Sequence, residues 1–214
     1  MRVFLVDIVD KFTKPDILVD RMRELNNLVN TYGGVVILEE YQKKDLPDPK
    51  TYVGKGKLEE IIQEMLRLKA NLLIVGNALK PSQIYQINEK LRLVSEEQGI
   101  KDKLEARDRI DLILKIFEKH ATSGESRLQI ELAAINHMGP RIYGMGLELS
   151  KQGGSASGGG GATRGAGETN TEVMRRHLKE KTRKIEKKLE EYAKMRNLHR
   201  EGRKKRGMAT VGIV

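Results

Sequence analysis

The chain has 214 residues, 33% of them charged and 38% hydrophobic, with no cysteine, which excludes a disulfide framework, thiol chemistry and a cysteine metal site. No apolar run reaches the ~20 residues of a membrane span, and Met1–Val9, a short apolar run interrupted by Asp7, does not read as a signal peptide, so a cytoplasmic location is expected. The net charge of +10 is unevenly placed: 15 Lys and Arg face 15 Asp and Glu in residues 1–100, seven face seven in 101–140, and 18 face eight in 141–214, so the last third calls for an anionic partner, nucleic acid ahead of a membrane surface.

Arg2–Val9 reads as a buried strand. Pro15–Thr31 carries apolar residues at a helical period, with Pro15 in its first turn and Gly33 at its stop. Val35–Leu38 is a second strand, Lys43–Lys50 a loop with Pro47 and Pro49, and Thr51–Val53 a short strand. Leu58–Leu68 is a helix, Leu72–Val75 a buried strand, Pro81–Lys90 a helix and Leu91–Val94 a last, weaker strand. Strands alternating with helices predict an α/β domain over residues 1–100, with a parallel sheet covered on both faces.

The pattern then becomes helical. Apolar residues from Leu104 to His137 step by three and four, predicting one long helix weakened at Gly124 and ended by Gly139-Pro140. Thr169 and Glu172 form a capping-box spacing. After it, Leu178, Thr182, Ile185, Leu189 and Tyr192 make an a/d seam. The two helices are expected to pair as an antiparallel hairpin (coiled coil) over 101–202, with a glycine-rich loop at 150–168. Residues 203–214 read as a linker and the first strand of a further domain.

Two segments suit anions. Gly54-Lys55-Gly56-Lys57 precedes a helix, where glycines and the helix amino terminus favour a phosphate group; the competing reading is a tight turn with exposed lysines. It is not a Walker A run, since no G-x-x-x-x-G-K-[ST] occurs in the chain. Arg164-Gly165-Ala166-Gly167-Glu168-Thr169 also leads into a helix start and suits an RNA phosphate. Scarce aromatic residues after Arg141 favour phosphate contact over base stacking. Arg107, Asp108, Arg109 and Asp111 read as a structural charge cluster, and the four histidines show no metal-ligand spacing.

Several segments together resemble the amino-terminal part of the HflX family of ribosome-associated GTPases: Tyr52–Glu60, Leu79–Gln83, Asp108–Phe117, Leu128–Ala133, Pro140-Arg141 and Arg164–Glu172, with Arg203–Val214 similar to the entry into the GTPase domain. The resemblance implies an α/β subdomain with a long helical hairpin that binds the large ribosomal subunit and its rRNA, in ribosome splitting or rescue. With the basic excess of residues 141–214, the expected RNA contacts are Arg141, Arg164, Gly165, Gly167, Arg175, Arg176, Lys179 and Arg183. The resemblance also implies a GTPase domain in cis, with GTP and magnesium held there and no cofactor in this chain, which should not hydrolyse GTP alone. Some members are reported to bind ATP through this region, which would use Gly54, Lys55, Gly56 and Lys57; regulation of the GTPase domain is a further alternative. Family members carry a shorter Gly-Gly-hydrophobic-Gly run where this chain has Gly153–Gly161, so the implied loop contact rests on Arg164–Glu168.

Overall fold

A computed structural model describes residues 1–100, 102–153, 170–209 and 211, with side chains left undescribed at 138, 140–153, 170 and 171. Four strands, β1 (Arg2–Val9), β2 (Val35–Lys43), β3 (Leu72–Val75) and β4 (Glu105–Asp108), form a parallel sheet of order β2-β1-β3-β4. Helices α1 (Pro15–Tyr32), α2 (Lys55–Arg67), α3 (Pro81–Glu97) and α4 (Arg109–His120) connect and cover them. The central strands are apolar on both sides because both sheet faces are covered. Val3, Leu5, Leu72 and Ile74 pack with Leu25 and Val29 of α1 and Leu112 of α4. Phe4, Val6, Leu73 and Val75 pack on the other face with Ile61 and Met65 of α2 and Ile87 and Leu91 of α3. The expected two-sided parallel sheet is thus present.

The details differ in several places. Leu91–Val94 belongs to α3: Ile84, Ile87 and Leu91 are buried at helical spacing, and that face keeps the segment helical. The fourth strand is instead Glu105–Asp108, where Ala106 and Asp108 point inward and Glu105 and Arg107 outward. It carries no apolar run because it is an edge strand. Asn88 of α3 bonds both the amide and the carbonyl of Ala106, at 2.8 and 3.1 Å, standing in for a neighbouring strand. Thr51–Val53 is not a strand; Asp48 and Tyr52 make only an isolated bridge.

The single helix expected from Leu104 is three elements, because chain direction reverses twice at the sheet edge. After β4, α4 runs back along the sheet; Ala121–Ser123 break it, and α5 (Gly124–Gly153) starts. Ser123 caps the new helix, its Oγ accepting from the Ser126 amide at 3.0 Å. Gly124 lies at this start because an added Cβ would stand 2.7 Å from the Tyr192 hydroxyl. Gly139-Pro140 does not end α5. Proline removes one amide and kinks a helix, but here Leu178 of α6 (Asn170–Lys205) lies beside Gly139 and supports the continuing segment.

Helices α5 and α6 run antiparallel. Glu125 pairs with Arg196, Glu131 with Lys181 at 2.6 Å, and Gly139 lies beside Leu178. Ile185 of the predicted seam is buried, with Leu178, Thr182 and Leu189 half-buried. Thr169 and the glycine-rich segment lie outside the described residues, as does most of the expected strand over Met208–Val214.

Candidate nucleic-acid interface

Helix α6 is about 54 Å long at 1.5 Å per residue and carries 14 Lys and Arg against six Glu. Propensity and charge pairing favour such a helix, but its apolar seam against α5 is what anchors it. Arg176, Lys179, Arg183 and Lys187 are spaced three, four and four apart, which places them on one face. All four are exposed, on the side turned from the seam, and Arg175 flanks them, also exposed. Lys181 and Arg196 are committed to α5, whereas Arg175, Lys179, Arg183 and Lys187 enter no ion pair among the described residues. A row of cations held on a rigid rod can neutralise a row of phosphates. Lys187 was absent from the sequence-predicted set; its four-residue step from Arg183 is the signal that could have found it. Arg141 lies on α5, its side chain undescribed, and Arg164, Gly165 and Gly167 lie outside the described residues.

The second predicted group, Gly54–Lys57, opens α2 at the carboxyl edge of the sheet. Gly54 has φ +80°, which favours glycine. Gly56 has nothing within 4 Å of an added Cβ. Lys57 Nζ is 2.6 Å from Glu40 and 3.2 Å from Glu60, and the Glu40 contact raises its pKa. Its charge is therefore used inside the protein, while Lys55 faces solvent.

Three segments that are distant in sequence meet at this edge. Gln83 of α3 accepts from the Lys80 amide at 2.9 Å and donates to the Asp48 carbonyl at 2.8 Å. Asp48 in turn orders its loop, its carboxylate accepting from the Lys50 and Thr51 amides, each at 2.8 Å. Those amides hold its pKa below the ordinary 3.8. A depressed carboxylate contributes stability above its unfolded pKa and loses it as pH falls through its folded pKa. Asp48→Asn should therefore cost stability at neutral pH and little once pH has fallen through the lowered pKa of the folded carboxyl. Thermal melts of both proteins across that range check this, and parallel curves would refute it.

Asp108 is the other tie. Fully buried, it accepts from the Leu79 amide at 3.0 Å and caps α4 through the Asp111 amide at 2.9 Å. His137 of α5 places Nε2 3.1 Å from both of its oxygens. The cluster at 107–111 is thus structural, as its sequence suggested, but the His137 partner, 29 residues away, left no local signal. Asp7, also fully buried, is bonded by Arg21; burial raises its pKa against the lowering effect of that arginine. Gly76 presses against it, and an added Cβ would come 2.7 Å from Asp7 Cγ and 2.5 Å from Leu25 Cδ1.

Residues 19–118 match the family model for the GTP-binding GTPase N-terminal region, and residues 120–203 match that for the GTP-binding GTPase Middle Region. GTPase HflX of Caldanaerobacter subterraneus subsp. tengcongensis is 42% identical over 195 residues, covering 91% of this chain and 42% of that protein. GTPase HflX of Escherichia coli K12 is 31% identical over 195 residues, covering 90% and 42%. The fold is similar to the crystal structure of a GTP-binding protein from the hyperthermophilic archaeon Sulfolobus solfataricus in complex with GDP (TM-score 0.57, 24% identity, 90% of this chain and 46% of that one). This chain spans about two fifths of the length of the curated relatives it matches.

Proposed function

This chain belongs to the HflX GTPase family, matching its amino-terminal and middle regions, and from that premise we propose that it is a ribosome-binding module. The basic face of α6 contacts rRNA of the large subunit. Arg164–Glu168, with Arg141, forms the contact at the far end of a coiled-coil hairpin. The observation that carries this reading is the exposed row Arg176, Lys179, Arg183 and Lys187, in a region where basic residues outnumber acidic ones 18 to eight. In this reading the α/β unit is the base that aims the hairpin, through Asp108 and His137, and the module serves ribosome splitting or rescue in the cytoplasm.

GTP and magnesium belong to a GTPase domain in the longer protein. In this reading they are not assigned to this chain, whose sequence has no G-x-x-x-x-G-K-[ST] run and among whose described residues no group of three or more His, Asp or Glu is placed to hold a metal. No helix among the described residues is long and apolar enough to cross a membrane.

Co-sedimentation with purified large subunits across a salt series tests the proposal. Binding should weaken linearly in log–log form as phosphate counterions are released. Absence of binding at low salt, or affinity indifferent to salt, refutes it.

A further inference from the structure

The first hundred residues are neutral overall, and one end of their sheet carries an exposed aromatic ring among lysines. Phe12, in the turn after β1, is 88% exposed; Leu46, after β2, is 78% exposed; Ile17, in the first turn of α1, is 54% exposed. The turn is built, not slack. The Phe12 amide donates to Asp10 Oδ1 at 2.7 Å and the Thr13 amide to the Asp10 carbonyl at 3.0 Å. Lys11 Nζ bonds Asp45 at 2.5 Å, and the Lys44 amide donates to the Val9 carbonyl at 2.9 Å, so the two loops are tied together. Of the nearby carboxylates, Asp10 and Asp45 are thereby used, Asp48 is held by the Lys50 and Thr51 amides, and Asp16 sits in the first turn of α1. Lys14, Lys43 and Lys44 enter no ion pair among the described residues. Lys44 Nζ lies 3.8 Å from where a Cβ of Gly54 would stand, so its charge adds to the amino terminus of α2.

We propose that this edge is a second RNA contact, at which Phe12 stacks on an unpaired base while Lys14, Lys43 and Lys44 hold the adjoining phosphates. Ring stacking with lysines along the backbone is the recognition chemistry of single-stranded RNA. Lysine is depleted at protein–protein interfaces, so the charge around the ring argues for a nucleic acid over a protein. The edge shares an end of the molecule with the Asp108–His137 tie, where α5 passes the sheet. The inference rests on the reading of α6 as an rRNA contact and adds a base-sensing element to it.

The chain has no tryptophan, so Phe12→Trp supplies a unique reporter at the site. Oligouridylate should quench its emission, and an RNA duplex of equal length should not. Phe12→Ala should weaken oligouridylate binding about tenfold, the scale of one base stack, and leave duplex binding unchanged. Lys14→Glu/Lys43→Glu/Lys44→Glu should reduce binding of both RNAs. If the protein binds RNA in an α6-dependent manner while the emission of the Phe12→Trp variant stays constant at saturation, this contact is wrong and the α6 proposal stands. If the protein binds no RNA at all, both fall. A blue shift with phosphatidylserine vesicles and none with RNA would assign the edge to a membrane surface and overturn the inference.

Discussion

Reversing charge at Arg175, Arg176, Lys179 and Arg183 together should all but abolish binding to the large subunit at physiological salt, while the protein folds normally. Each lysine or arginine on a phosphate contributes a little under one unit of salt slope. Losing four contacts should flatten the log–log slope by about three and a half units and lower affinity by several orders of magnitude. The fold should tolerate the change, because these side chains are exposed and substitutions at such positions usually alter stability by about 0.5 kcal/mol or less. The control is Lys181→Glu, which breaks the pair with Glu131 on the α5 side. It should leave the slope nearly intact. An effect of Lys181→Glu one quarter as large, in proportion to the charge it changes, would show that net charge, not the outward face, governs binding.

The second large effect is on stability. Asp108→Ala removes a fully buried acceptor that satisfies the Leu79 and Asp111 amides and meets the His137 ring. One buried and one part-buried amide donor lose their partner, α4 loses its cap and α5 loses its tie. Buried polar groups left unpaired cost about 1–3 kcal/mol each, and a lost cap about 1 kcal/mol. Because these losses overlap, a total of about 3 kcal/mol is expected, or about 10 °C in Tm for a chain of this size. Amide exchange should rise first around His137 and along α4, since their tether is removed. His137→Gln, which keeps a donor in place, should cost much less. A shift of less than about 2 °C for Asp108→Ala would mean that its three partners find water instead.

The same two sites mark where local pattern stops being informative. Apolar periodicity located β1, β3, α1, α2 and the α6 seam, because each is buried through its own repeating face. The basic face of α6 was equally legible, since charge imbalance is a property of composition. The family resemblance was legible through short runs such as Tyr52–Glu60 and Leu79–Gln83. What those runs do was not: Gln83 acts on the Asp48 loop, 35 residues away, and Leu79 on Asp108, 29 residues away.

The errors share one cause. β4 is polar because it lies at the sheet edge, where Asn88 rather than a strand completes Ala106. The break at Ala121–Ser123 exists because the chain turns there to lay α5 along that edge, and only Gly124 hinted at it. Gly139-Pro140 reads as a stop in isolation, yet the helix continues where α6 supplies a neighbour.

The sequence by itself determined the class of fold, the family and the concentration of positive charge in the last third, since these depend on periodicity, short motifs and composition. Only the tertiary structure decided that β4 closes the sheet and that Asp108 and His137 join the helices to it. It alone also decided that Phe12 stands in solvent, near lysines that enter no ion pair among the described residues. These depend on contacts between residues far apart in the chain, which no local pattern encodes.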